Sequence, residues 1–169
     1  MNAQSRRERI LDYLRGADRP LPAAALAHEL SVSRQIIVGD VALLRAAGEG
    51  ITATPRGYVL ERPRTGIVRT VACLHRSEDM ERELTLMVDQ GCTVENVVVE
   101  HPVYGQLTGP LELSSRYDIS EFIRKVEENS ARPLSLLTDG IHLHTLRCPD
   151  QGAFERTAAA LEEAGFLVR

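Results

Sequence analysis

The first 60 residues contain three helix-like segments followed by two strand-like segments, and this order restricts the folds open to them. Apolar residues at helical spacing predict a first helix over 5–15, with Ser5 as its N-cap, and a short second helix over 23–30. Ser33 is a suitable N-cap for a third, longer helix. Residues 51–60 then predict two short strands around a Pro-Arg-Gly turn. This order is typical of a winged helix-turn-helix, although a small three-helix bundle shares the helical part of the pattern.

The third predicted helix begins with side chains that suit DNA. Ser33, Arg34 and Gln35 offer a hydroxyl, a guanidinium and an amide, which contact phosphates or read base edges in a major groove. Arg56, at the tip of the predicted wing, is placed to reach a neighbouring phosphate or the minor groove. Gly39 lies inside the same helix, where glycine costs about 1 kcal/mol relative to alanine. Close approach to a neighbouring backbone is the one reason for Gly39 that the sequence offers.

Charge separates the N-terminal third from the remainder. Residues 1–64 carry ten Arg and seven acidic residues, a net charge of +3. The remaining residues carry ten basic and seventeen acidic residues, a net charge of −7, which gives the overall −4. A basic segment on an acidic chain is expected of a nucleic-acid module joined to a second domain. The polar stretch ERPRTG at 61–66 predicts the linker, so we expect one domain over 1–62 and another over 66–169.

The second predicted domain alternates strands with helices. We expect strands at 67–74, 94–100, 106–113 and 141–147, and helices at 78–90, 118–129 and 151–164. The last-but-one helix opens with the capping-box pattern DISE, which begins at Asp118. This alternation predicts a ferredoxin-like α/β sandwich, and therefore an α+β fold for the whole chain.

The cysteines and the apolar segments exclude other classes of protein. Cys73, Cys92 and Cys148 are isolated thiols without CxxC spacing, so neither a disulfide framework nor a cysteine-built zinc site is expected. The first residues lack an apolar signal core, and no run approaches the roughly 18 apolar residues of a membrane span. We therefore expect a cytoplasmic protein.

Four histidines fall in the second domain, and two of them form an HxH pair. His142 and His144 lie two apart on a predicted strand, so their rings share one face about 7 Å apart, within reach of one metal ion. His75 ends the first strand of the domain. Glu83 lies at the edge of the apolar stripe of the next helix, where a carboxylate must be paired, hydrogen-bonded or bound to a cation. Three imidazoles and a carboxylate suit Zn, Ni, Fe or Co. The alternative to a metal site is that His142 and His144 are polar residues on a half-exposed strand and that Glu83 is paired with an arginine.

The fourth histidine, His101, opens the segment HPVYG, in which Pro102 and Gly105 fix a turn. A structural histidine at a strand end and a ligand-binding histidine both fit this position.

Four segments together resemble the niacin-responsive repressors of the NiaR type, which join a winged helix-turn-helix to a three-histidine (3H) domain. They are SVSRQIIVGDVALLRAAG, ELTLMVDQGC, EHPVYGQL and LTDGIHLHT, and the resemblance spans nearly the whole chain in the family's order. It implies a divalent metal held by His75, Glu83, His142 and His144. It also implies nicotinic acid as corepressor beside His101 and Tyr104, and control of genes for NAD biosynthesis or niacin uptake. Gly39 stands where the family usually has glutamine.

We therefore expect a homodimer, paired through the second domain, that places two recognition helices on a palindromic DNA operator. One alternative is a repressor that senses the metal alone. Another is a metal-dependent hydrolase, since a metal with a free coordination position activates water. Against the hydrolase, the sequence offers no obvious general base, nucleophile elbow or phosphate-cradling loop.

Overall fold

The computed structural model describes residues 2–61 and 65–168, and the chain divides into two compact units, Met1–Pro63 and Arg64–Arg169. Each unit has a hydrophobic core of its own. Residues 62–64, the centre of the expected linker, lie outside the described residues. Among the helices of the described part, none is both long enough and apolar enough to cross a membrane.

The first unit consists of three helices and a β-hairpin. Its elements are α1 (Ala3–Gly16), α2 (Ala23–Glu29), α3 (Arg34–Ala46), β1 (Ile51–Thr54) and β2 (Gly57–Leu60). The two strands pair antiparallel around a two-residue turn. The core between these elements includes Ile10, Leu14, Leu26, Ile37, Val41 and Ile51. Helix, short helix, helix and wing thus follow the predicted order.

The helix caps of this unit confirm one expectation and correct another. Ser33 caps α3, with its side chain accepting a hydrogen bond from Ile36 N at 3.3 Å. The N-cap of α1 is Asn2 and not Ser5, because Asn2 Oδ1 accepts from Ser5 N at 2.8 Å and starts the helix earlier than predicted.

A buried ion pair fastens α3 to α1. Asp40 of α3 is buried, and its carboxylate lies 2.5 Å from Arg6 Nε and 3.5 Å from Arg7 Nη1, both on α1. A buried carboxylate needs such partners to offset its desolvation. The ion pair fixes which face of α3 turns inward and which faces solvent.

The second unit is an α/β sandwich. Its elements are β3 (Ile67–Leu74), α4 (Met80–Asp89), β4 (Thr93–His101), β5 (Gly105–Leu113), α5 (Arg116–Glu128), β6 (Ile141–Cys148) and α6 (Gln151–Glu163), with 3-10 helices at Ser77–Asp79 and Leu134–Thr138. The strands lie in the order β3-β6-β4-β5, and each neighbouring pair is antiparallel. The chain order β-α-β-β-α-β is that of ferredoxin-like folds. The strand order is not, because the last strand lies between the first two instead of at the sheet edge beside the first. The α+β class is confirmed.

Two local expectations in this unit are wrong. The N-cap of α5 is Ser115 and not Asp118, since Asp118 is the N3 partner that closes the capping box. Cys92 and Cys148 are paired as a disulfide, which isolated cysteines 56 residues apart did not indicate. The disulfide joins the chain just after α4 to the end of β6. Cys73 is free and buried.

Candidate metal centre

Three elements of the second unit bring the candidate ligands together. The alternation of β6 turns His142 and His144 towards the core, while Ile141 and Leu143 face outwards. β6 lies beside β3, and His75 directly follows the end of β3. Glu83 lies in the first turn of α4, where the helix dipole favours a negative charge.

The three imidazoles converge on the carboxylate of Glu83. Glu83 Oε2 lies 2.8 Å from His75 Nε2 and 3.2 Å from His144 Nε2. Glu83 Oε1 lies 3.0 Å from His142 Nε2. Glu83 is only 1% exposed, so it is fully buried and not at the edge of the helix's apolar stripe as predicted. The predicted alternative, in which an arginine pairs with Glu83, is wrong, because its partners are three histidines.

Backbone carbonyls fix the tautomer of each ring. Nδ1 of His75 lies 2.7 Å from Arg76 O, and Nδ1 of His142 lies 2.8 Å from Gly140 O. Nδ1 of His144 lies 2.8 Å from Asn96 O. A carbonyl only accepts, so each Nδ1 carries a proton, and the Nε2 of the neutral ring is then a lone pair. This is the outer-shell arrangement that orients histidines on metals.

The inward-facing atoms therefore lack a positive partner. While the rings are neutral, three Nε2 lone pairs face a carboxylate, and acceptors cannot bond to one another. Either protonated rings or a metal ion must supply the missing charge. His75 Nε2 shows the problem most clearly. It is buried and has no hydrogen-bond partner among the described residues, because its 2.8 Å approach to Glu83 lacks hydrogen-bond geometry.

The donor set fits a divalent transition metal. The ligand atoms of His75, Glu83 and His142 all lie within 4.8 Å of one another. His144 stands outside that mutual group but contacts the same carboxylate. Three imidazole nitrogens and one carboxylate oxygen are ligands typical of zinc, nickel, cobalt and iron sites. All four predicted ligands thus meet at one point, and three of them are near enough to share an ion as they stand.

The charges in the centre shift its pKa values in opposite directions. Burial opposes ionisation of Glu83, but the three histidines outweigh it and hold the pKa of Glu83 far below its usual range. Burial also opposes protonation of His75, but the adjacent Glu83 outweighs it and raises the pKa of His75. Burial, and then Glu83, raise the pKa of the Cys73 thiol. The carboxylate stays ionised, so the centre keeps a buried negative charge that attracts a cation.

A cavity of about 490 Å³ opens beside the centre, where β4 and β6 cease to pair beyond Val98 and Leu143. Its volume lies in the range of small-molecule sites. The described residues that line it include one acid and one histidine, but no arginine or lysine; they are Val98, Val99, Glu100, Gln106, Thr138, Ile141, His142 and Leu143. The sequence did not predict this cavity, because the divergence of two strands leaves no local signal.

His101 and Tyr104 are not part of the cavity lining. They lie at the β4–β5 turn, with ring centroids 5.0 Å apart. His101 Nδ1 accepts from Val103 N at 3.1 Å and from Tyr104 N at 3.2 Å. The neutral His101 ring therefore carries its proton on Nε2, the opposite tautomer to the three converging histidines. Its Nε2–H group is therefore the part of the ring that can donate a hydrogen bond to a ligand.

Gly140 is a site residue that the sequence identified only as part of a turn. Its φ is +96°, and a Cβ at this position would lie 2.8 Å from His75 O. Its own carbonyl orients His142. A glycine in the left-handed region is thus required where the turn meets two of the candidate ligands.

The predicted DNA-contacting residues occupy the first unit. Arg34 and Gln35 are exposed in the first turn of α3, next to the exposed cap Ser33. Arg56 is half-buried in the turn between β1 and β2. All four lie on the helix and the wing that the sequence indicated.

Known proteins share this arrangement of domains. Residues 6–59 match the family model of an HTH domain, and residues 68–169 match that of the 3H domain. The chain is 44% identical over 169 residues to the transcription repressor NadR of Bacillus subtilis, covering 98% of this chain and 94% of the relative. It is 42% identical over 165 residues to the probable transcription repressor NiaR of Thermotoga maritima, with 98% and 94% covered.

These matches and the fold define the class of protein as a transcription repressor with an HTH domain followed by a 3H domain. Its relatives are repressors and not enzymes, which removes the hydrolase alternative. The chain belongs to the 3H-domain family, as a repressor of the NadR and NiaR type.

Proposed function

We propose that this repressor requires a divalent metal in its 3H domain and that nicotinic acid is its corepressor. The main support for a metal site is the shared tautomer of His75, His142 and His144, whose Nε2 lone pairs face a buried carboxylate. With Glu83, these residues would hold one Ni, Zn, Fe or Co ion. When bound, the ion would neutralise the carboxylate and offer an open position to a ligand oxygen or nitrogen.

Two features of the second unit support a small aromatic acid as the effector. The cavity beside His142 has mostly apolar walls that accept a planar ring. His101 and Tyr104 add an N–H donor and an aromatic ring at the neighbouring turn. We propose that His101 donates to the carboxylate of nicotinic acid and that Tyr104 stacks on the ring.

In the first unit, we propose that α3 lies in the major groove of the operator. Gln35 would read a base edge, Ser33 and Arg34 would contact phosphates or bases, and Arg56 would contact the backbone beside the wing. A homodimer formed through the 3H domains would present two such helices to a palindromic site. The regulated genes would serve NAD biosynthesis or niacin uptake.

The test is DNA binding by the full chain under four conditions: no metal, Ni²⁺ alone, nicotinic acid alone, and both. Promoter fragments of the niacin-uptake and NAD-synthesis genes are the probes, measured by fluorescence anisotropy. We expect tight binding with both ligands and weaker binding with either one. Equal affinity with and without nicotinic acid would refute the corepressor.

A metal-sensing repressor without an organic effector is the second candidate. The His75 and His142 side chains are only 3% and 2% exposed, which leaves little access to the centre from solvent. In this case Ni²⁺ alone would give full DNA affinity. His101→Ala separates the two candidates, because it should abolish the response to nicotinic acid while preserving the response to metal; His28→Ala, at an exposed position, is the control.

A further inference from the structure

Gly39 lies in the middle of α3, on its exposed face, and the fold does not require it. A Cβ built on Gly39 would meet nothing within 4 Å. Close approach to a neighbouring backbone, the reason that the sequence suggested, is therefore wrong. Glycine inside a helix costs stability relative to alanine. No close packing at Gly39 within the described part of this chain offsets that loss of stability.

The surroundings of Gly39 face away from the protein. Ile37, Asp40 and Val41 point inwards and are buried. Gln35 lies one turn before Gly39 and Leu43 one turn after, so these side chains line the same outer face. Ile36 and Leu43 are 41% and 57% exposed. The outer face of α3 thus has a notch at Gly39, with an amide at one end and apolar side chains beside it.

We propose that Gly39 is a specificity-determining residue, at which a thymine methyl group enters the notch and touches the bare backbone of α3. This inference rests on the proposed position of α3 in the major groove. The thymine methyl is the apolar group that bases present there, and apolar protein surface recognises it. Glycine is the residue that lets a backbone approach a ligand closely. The contact would also let Gln35 reach the edge of a neighbouring base pair.

The test uses Gly39→Ala in the full chain, with Ni²⁺ and nicotinic acid present throughout. Alanine favours the helix, so the variant should melt at the same temperature as the wild type or higher. A loss of binding would then not reflect unfolding.

The DNA probe is a duplex selected from a random library by the wild-type chain. Each thymine is replaced in turn by deoxyuridine, which removes only the methyl group.

We expect one deoxyuridine per half-site to weaken wild-type binding by roughly fivefold to tenfold. Gly39→Ala should bind the selected duplex about tenfold more weakly, and should no longer respond to that deoxyuridine. Binding to a scrambled duplex should not change, because phosphate contacts supply it. Gly16→Ala is the matched control, since Gly16 ends α1 and a Cβ there also meets nothing within 4 Å.

Two results would overturn the inference. If Gln35→Ala weakens binding while Gly39→Ala binds the selected duplex like the wild type, α3 reads DNA but the notch has no role. If neither substitution changes binding, α3 does not enter the groove, and the proposed DNA contact fails together with this inference.

Discussion

His142 donates its Nδ1 proton to the carbonyl oxygen of Gly140, two residues earlier, at 2.8 Å. That bond turns the Nε2 lone pair of His142 towards Glu83, 3.0 Å away. Carbonyls at Arg76 and Asn96 do the same for His75 and His144. The backbone around the candidate centre therefore orients the three rings, as outer-shell carbonyls do for metal-binding histidines.

Gly140→Ala should weaken metal binding without removing a ligand. The new Cβ would collide with His75 O, and the turn would have to move with both His75 and His142. Outer-shell changes of this kind lower metal affinity by roughly 10–100-fold. Calorimetric titration with Ni²⁺ measures the effect. Gly165→Ala is the control: its φ is also positive, at +75°, but a Cβ there meets nothing within 4 Å. Equal losses in both variants would contradict the account.

Glu83→Gln should remove tight metal binding more completely. The glutamine keeps the size of the side chain but loses the buried charge that a cation neutralises. We expect a loss larger than the roughly 100-fold upper range of outer-shell changes. Glu81→Gln, an exposed position in the same turn of α4, is the matched control. Wild-type affinity in the Glu83 variant would show that the carboxylate is not a ligand.

The pH dependence of stability should reverse when metal is added. The folded-state pKa of His75 is raised above 6.5, so its contribution to stability is fully present below pH 6.5 and is lost as pH rises through the raised value. The pKa of Glu83 is lowered below the range where carboxylates titrate, so its contribution persists in mild acid and does not change in this window.

Chelator-treated protein should therefore melt at a lower temperature at pH 8.5 than at pH 6.5. Metal-loaded protein should be stabilised more at the higher pH, because protons compete with the ion for the rings. Thermal unfolding at both pH values, with EDTA or with Ni²⁺, measures both effects. If the melting temperature of the chelated protein does not fall over this interval, protonated His75 does not stabilise the fold.

The Cys92–Cys148 disulfide should stabilise the 3H domain only when it is oxidised. It closes a loop between residues 56 apart, for which the chain-entropy model gives about 4 kcal/mol. Cys92→Ser should lower the free energy of unfolding by a few kcal/mol in non-reducing buffer. In dithiothreitol the variant and the wild type should differ by much less. An unchanged difference under both conditions would indicate two packed thiols instead of a bond.

The candidate ligands were predictable from the sequence, but their assembly was not. The period of two on β6 placed His142 and His144 on one face. The strand end at His75 and the apolar stripe beside Glu83 added the other two candidates, and the resemblance to the family joined all four in one site. What brings the pairs together is the entry of β6 between β3 and β4, a pairing that no local pattern encodes. The burial of Glu83 depends on the same pairing.

Other features were missed for similar reasons. The caps of α1 and α5 were placed three residues late, because the side chains of Asn2 and Ser115 accept from the backbone N–H groups of the predicted cap residues, Ser5 and Asp118, and so start each helix earlier. The disulfide joins distant segments, and the cavity arises from diverging strands. Gly39 was noticed, but only the structure showed that it faces open space.

The backbone carbonyls hold a proton on Nδ1 of the three converging histidines, so that Nε2 is the atom that each ring would offer to a metal. Long-range ¹H–¹⁵N NMR of the histidine rings, recorded before and after one equivalent of Zn²⁺, tests it directly. We predict that Nδ1 carries the proton in zinc-loaded His75, His142 and His144, that zinc shifts their Nε2 resonances, and that His101 keeps its proton on Nε2. Protonated Nε2 atoms in the three converging rings, unmoved by zinc, would contradict the account.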